Sequence, residues 1–380
     1  MNNTRRRLLP AILLLVALTI IPIRAQTTLS ASAIDPLLML PASDVVLLID
    51  HSRIWSEAIP RFFGADAAPI RKILAEAEQF KAKTGVDVRS ISRIAVGVRF
   101  VNPEAVTKMK VDKKDLAVVI IAQGDFDPNK LVSAMRRDAK ERVREEQHGG
   151  QIIYSVDESK GGNQQPDIEK VAVAVLDTNT IAIGDLVHVR ATIDAKAGSG
   201  RLSPELVSLI QRNGSALASL AGNVPAALFA SLLPKESSGN AEMDKQFGKF
   251  FEAVASIKQM YISLGMTATD VEASLGARLG STEQAQSLGD MLLGARQQYS
   301  VFIEDKMIRD LVANMQITAE GEEVQLKAAL PQTTIAMLIS NASKTAAATT
   351  ASAPKTTATQ TATPTAQPKK KRKGTRRKKN

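Results

Sequence analysis

Cysteine is absent from this chain. Its absence excludes disulfides, thiolate metal sites, a cysteine nucleophile and a lipid-modified N-terminal cysteine. Aromatic residues make up only 4%, with a single tryptophan, fewer than a carbohydrate groove or a stacking platform for single-stranded nucleic acid would want. Histidine is scarce too: His51, His148 and His188 are the three present. No two of them have metal-ligand spacing, and no HExxH, GxSxG, GxxxxGK or GxGxxG pattern occurs. Beyond Ile23 no stretch is long and apolar enough to span a bilayer.

The two ends carry the strongest signals. Arg5, Arg6 and Arg7 precede an apolar run from Leu8 to Ile23, and Ala25 gives a small residue before Gln26. As a helix that run would be roughly 24 Å long, short of the roughly 30 Å hydrocarbon layer. Residues 1–25 are therefore expected to be a signal peptide cleaved after Ala25. Arg5-Arg6 partly matches a twin-arginine signal, but the strongly apolar Ile12–Val16 favours the general secretory route. Export to the periplasm or the extracellular space follows, with a soluble mature chain.

The last thirteen residues, Pro368 to Asn380, hold nine cations and no acid: Lys369, Lys370, Lys371, Arg372, Lys373, Arg376, Arg377, Lys378 and Lys379. The whole chain has a formal charge of +10, so removing this tail and the four arginines of the signal region leaves residues 26–367 at −3. A mildly acidic body on a basic tether is not a nucleic-acid-binding domain. The tail itself, lacking aromatics, can read charge but not bases. Its expected partners are an anionic envelope polymer, an anionic lipid surface or nucleic acid bound non-specifically. Pro368–Lys373 resembles a nuclear-import signal, which an exported protein cannot use. Residues 344–367 are almost entirely Ala, Thr, Ser, Pro and Gln, a linker composition that cannot bury a core.

Between the ends, after a flexible segment 26–39, apolar periodicity predicts alternating strands and helices. Residues 44–50 form a short strand, and a helix follows from about Asp66, with Ile70, Ile73, Leu74, Ala77 and Phe80 on one face. Ile94, Val96, Val98 and Phe100 alternate with Arg93, Ala95, Gly97 and Arg99, as in a strand with one solvated face. Asp127-Pro128 starts a helix expected to run to Gln147, ended by Gly149-Gly150, with exposed pairs Arg137–Glu141 and Arg142–Glu146. Strands at 116–121, 151–156, 171–176 and 180–184 and helices after Asp185 and Ser203 complete a first half, 40–222.

The second half, 223–343, holds a strand near Ala227–Leu233, a helix around 243–255 and a hairpin of 260–267 with 271–279. In that hairpin Ile262, Leu264 and Met266 face one way, as do Val271, Ala273, Leu275, Ala277 and Leu279. A helix capped by Ser281 or Thr282, another at 306–314 and a hairpin turning at Glu320-Gly321-Glu322 follow. Both halves read strand, helix, hairpin, helix, strand, the order of a split βαβ, ferredoxin-like unit. The expected fold is α+β: two such halves, an internal repeat claimed on element order alone, with antiparallel or mixed sheets and helices on one face.

Candidate chemistry is weaker. Asp125, Asp127 and Asn129 fit the first three ligands of a calcium loop, but Lys130 and Arg136 occupy the glycine and glutamate positions, so a turn and helix cap is the reading. Lys83-Thr84-Gly85 and Ser352-Ala353-Pro354-Lys355 match boxes of the penicillin-recognising enzymes in reversed order, with the serine in the linker. Trp55, Phe62 and Phe63 form either a partner patch or packing under a sheet edge. Asp44 and Asp50 could act as acid and base only if the fold converged them.

In its element order, its capped Gly124–Pro128 turn and its two-ended architecture, the chain resembles uncharacterised secreted bacterial proteins of repeated α+β build. The resemblance supplies no catalytic, cofactor-binding or metal residues. The expected function is a non-enzymatic envelope or extracellular protein with an interaction or scaffolding role, tethered through its tail. The rival is a secreted hydrolase assembled in three dimensions around Asp50, Asp125 or Asp127.

Overall fold

The computed structural model describes residues 35–63, 68–107, 115–156, 171–223, 252–299 and 303–336, with Gly248 and Phe250. The expected signal peptide, the strand at Ala227–Leu233, the loop at Gly161-Gly162, the linker and the basic tail lie outside them.

The described strands are β1 (Val45–Asp50), β2 (Ile91–Phe100), β3 (Leu116–Gly124), β4 (Val143–His148), β5 (Gln151–Val156), β6 (Val171–Asp177) and β7 (Thr180–Asp185). They continue with β8 (Ala216–Asn223), β9 (Gln259–Met266), β10 (Asp270–Arg278), β11 (Gln316–Glu320) and β12 (Glu323–Pro331). Helices are α1 (residues 51–63, with a π-helical turn at Ile54–Ala58), α2 (Ala68–Thr84), α3 (Pro103–Thr107) and α4 (Pro128–Ala139). After them come α5 (Leu186–Lys196), α6 (Pro204–Gln211), α7 (Thr282–Tyr299) and α8 (Lys306–Asn314).

The protein is α+β. All twelve strands join one sheet in the order β11-β12-β10-β9-β8-β1-β2-β3-β7-β6-β5-β4. Every pairing is antiparallel. A split βαβ half leaves room for a further strand between the two that its helix joins, whereas β1 and β2, joined through α1 and α2, are direct antiparallel neighbours. The expectation of two ferredoxin-like halves with separate sheets therefore gives way to one antiparallel sheet, and β4 and β8 are strands that the expected element order did not contain. β8 crosses the expected boundary at 222/223 and pairs with β1 on one side and β9 on the other.

Helices cover both faces of the β1–β3, β6–β7 region, not one. On one face, Ile70, Ala77 and Phe80 of α2, Val132 and Met135 of α4 and Trp55 of α1 pack on Ile49, Ile94, Val96, Ile120 and Ile181. On the other, Leu186, Val189 and Ile193 of α5 and Leu206, Leu209 and Ile210 of α6 pack on Val46, Ala95, Val119, Ile121 and Ala182. Ala95 is thus buried where a solvated strand face was expected. A third cluster places Ala285 and Leu288 of α7 against Ala277 and Val324 of β10 and β12.

One helix was read too long. α4 stops at Ala139, and Lys140 takes a positive φ of 48° that ends the helical path. Val143–His148 then forms β4, turning back onto β5 through Gly149 and Gly150, whose φ values of 54° and 78° suit a hairpin turn. The exposed charges pair accordingly: Arg136 with Glu145 at 2.6 Å, and Arg190 of α5 with Glu146.

Candidate functional site

Two titratable groups shifted chiefly by burial, Asp185 and His188, sit where β7 ends and α5 begins. Asp44 accepts the Phe100 N–H at 2.8 Å, locking β1 to the end of β2. Asp185 closes β7 and takes the N-cap position of α5, but its carboxylate accepts the Val118 N–H of β3 instead of capping the helix. One turn on, His188 is 5% exposed, and its Nδ1 has no hydrogen-bond partner among the described residues.

Burial pushes the Asp185 carboxyl up to about 6, against the bond from Val118 that favours the anion. The His188 imidazole is pushed below its ordinary value by burial, then by nearby Arg99, with Asp44 opposing. A raised carboxyl pKa stabilises the fold below the unfolded value near 3.8, and that contribution is lost as pH rises through about 6. A lowered imidazole pKa acts oppositely: its contribution is present above about 6.5 and is lost as pH falls.

Asp185→Asn keeps an acceptor for Val118 while removing the titration. It is expected to raise stability above pH 7 by about 1–2 kcal/mol, discounting the full shift for partial exposure, and to leave it unchanged at pH 4. Urea denaturation of both proteins at pH 4, 5, 6 and 7.5 checks this; a difference independent of pH contradicts it.

A cleft of about 460 Å³ opens on the opposite half of the sheet, lined by Arg212, Tyr261, Glu272, Gln325 and Lys327 among others. Tyr261 is its centre. Its hydroxyl donates to Glu323 at 2.8 Å and accepts from Gln325 at 2.7 Å and Arg212 at 3.0 Å. The Arg212 guanidinium lies 4.9 Å from the ring centroid, an arrangement worth about 0.5–2 kcal/mol. A Cβ on Gly276 would fall 2.1 Å from the Tyr261 ring, so the glycine makes room for the aromatic. Burial raises the phenol pKa. These bonds, with the Arg212–Glu323 ion pair, tie the four side chains together as a structural brace at the floor of the cleft.

The sequence candidates disperse. Asp50 caps α1, accepting from Ser52 Oγ at 3.0 Å and the Arg53 N–H at 3.1 Å. Asp127 caps α4, accepting the Asn129 N–H at 2.9 Å. Asp44 and Asp50 stand at opposite ends of β1, roughly 20 Å apart at about 3.3 Å per residue. His148 ends a strand, not a helix, and bonds to Asp194 at 2.8 Å. Trp55 is 1% exposed and belongs to the core, as the packing reading had it; Phe62 packs partly buried beside it. The nine tail cations, Lys369, Lys370, Lys371, Arg372, Lys373, Arg376, Arg377, Lys378 and Lys379, fall outside the described residues. The Asp185–His188 pair was not singled out from sequence; Asp185 served there as a helix start, and nothing local marks a capping position whose side chain turns away.

No helix among the described residues is long and apolar enough to cross a membrane. No family model and no curated protein matches the chain. Among solved structures, crystal form III of TP0453 is similar at a TM-score of 0.42 and 12% identity, covering 82% of this chain and 99% of that one. Crystal form I of TP0453 gives a TM-score of 0.40 at 12% identity, covering 82% and 98%. A likeness this distant bears on neither fold nor function.

Proposed function

We propose that the protein is an exported, non-enzymatic interaction protein of the envelope or extracellular space, held to polyanions by its basic tail. The observation that carries this reading is the segregation of charge: nine uncompensated cations in Pro368–Asn380 against a body of −3. Such a tail binds phosphate or carboxylate polymers through charge alone. The Ala, Thr, Ser, Pro and Gln composition of 344–367 is that of a spacer between body and tail. The duties of Asp50 and Asp127 as helix caps favour this reading over a hydrolase.

The experiment compares the mature chain with a version ending at Ser343. Deleting the linker and tail is expected to abolish retention on an immobilised polyanion while leaving the thermal unfolding midpoint unchanged. Equal retention of both would move the activity onto the acidic body and end the tail reading.

A further inference from the structure

The two edges of the sheet differ in a way that points to a partner. β4 guards one edge with charge: Arg144, Glu145 and Glu146 occupy half its length, and Glu145 and Glu146 pair with Arg136 and Arg190. A second β4 laid antiparallel against it would bring glutamates opposite one another in each central register. Charged edge strands of this kind resist pairing with other chains.

β11 guards the other edge with almost nothing. Its five residues, Gln316-Ile317-Thr318-Ala319-Glu320, carry one charge, at the last position. They pair with β12 on one side only, through Gln316↔Lys327 to Glu320↔Glu323. Among the described residues, no hydrogen bond takes up the outward N–H and C=O groups of this strand. Neither proline nor lysine nor a bulge blunts it. Gln316, Thr318 and Glu320 are exposed on one face, while Ile317 and Ala319 are half-buried on the face that α7 covers, where Ala319 packs close to Gly289.

The strand is self-complementary. Laid antiparallel on its own copy about Thr318, it places Thr318 opposite Thr318, Ile317 opposite Ala319 and Gln316 opposite Glu320. Those are a hydroxyl pair, two apolar contacts and two amide–carboxylate pairs, with no like charges facing. A two-fold axis through Thr318 is the closed symmetry such a pairing generates.

We infer that β11 is the interface through which two copies of this chain join edge to edge, extending the sheet across a two-fold axis. Five residues per copy bury a small area, so the dimer is weak, in the micromolar-to-millimolar range. It would also present two basic tails on one particle and strengthen polyanion binding by avidity. That consequence rests on the proposed tail function; the dimer does not.

Sedimentation velocity on the full mature chain, in high salt to silence the tail, tests the inference. Over a hundred-fold concentration range the weight-average mass is expected to rise from one chain toward two. Thr318→Lys and Thr318→Glu each put like charges face to face on the axis, at an exposed position where the fold tolerates either. Each variant alone is expected to stay monomeric at the highest concentration, with an unfolding midpoint close to that of the parent. An equimolar mixture of the two should recover association at least as strong as the parent's. A parent that is monomeric throughout, a dimer indifferent to Thr318→Lys, or a mixture that fails to associate would each overturn the assignment.

Discussion

Gly184→Ala is expected to destabilise the protein by about 3–4 kcal/mol, among the largest effects of any single methyl group added to this fold. Gly184 lies in β7, paired to Val119 of β3 and Ala172 of β6. A Cβ there would fall 2.2 Å from the Val118 carbonyl oxygen and 2.8 Å from the Val119 Cα. Those atoms are backbone, so no side-chain rotation relieves the overlap. β3 and β7 must move apart, at the seam where Asp185 also bonds to Val118. The seam matters because β3 and β7 join the first three strands to the β4–β7 meander. At about 2–4 °C per kcal/mol, the unfolding midpoint should drop by roughly 6–16 °C. Gly214→Ala is the control, since its Cβ would meet nothing within 4 Å; it should change stability by less than about 0.5 kcal/mol. Equal behaviour of the two variants would contradict the β3–β7 register.

Trp55→Ala should cost about 4 kcal/mol or more. The indole fills the core between α1 and the sheet, beside Ile49, Ile54, Ile59 and Ile94. Its Nε1–H donates to His51 Nε2 at 2.8 Å. An indole nitrogen can only donate, so Nε2 of this buried imidazole is the bare acceptor. Nδ1 therefore carries the proton and donates to the Ile91 carbonyl at 2.9 Å. The pair thus ties the first turn after β1 to the start of β2. Alanine removes both the volume and the donor. Trp55→Phe restores most of the volume without the donor and should cost about 1–3 kcal/mol. Chemical denaturation followed by far-ultraviolet circular dichroism measures both, since Trp55 is the chain's only tryptophan and cannot report on its own loss. A phenylalanine variant as stable as the parent would show that the His51 contact contributes nothing.

How much of this fold was legible varies by element. The β9–β10 hairpin was readable because its apolar parity is strict. The expected faces meet in register, with Ile262 opposite Leu275 and Leu264 opposite Ala273. Parity did not reveal exposure, however: Leu220, Ile262 and Leu264 share that face and remain more than a third exposed. The end of α4 was obscured because Leu131, Met135, Ala139 and Val143 keep a four-residue spacing straight through Lys140 into β4. The glycine pair that looked like a helix stop is a hairpin turn. β8 was missed because ALASLAGN has small residues where a strand is expected to show branched ones, and its pairings with β1 and β9 supply what propensity lacks. Strand order was illegible for a different reason. The β1–β8 and β3–β7 pairings join segments far apart in sequence, and no local pattern encodes which edges meet. At the sites, the cap at Asp127 was legible from Asp127-Pro128, the cap at Asp50 was not, and the burial of Asp185 and His188 arises only when α5 folds onto the sheet.

The most direct test of the account is a salt titration of the tail. Full-length mature protein and the chain ending at Ser343 are titrated against duplex DNA and against anionic vesicles at several salt concentrations. If the nine cations bind by charge alone, affinity should fall with a log–log slope of about −0.9 per contact, on the order of −8 at full engagement with DNA. It should be indifferent to base sequence and vanish in the truncated chain. Binding that survives truncation, or that holds its strength as salt rises, would contradict it.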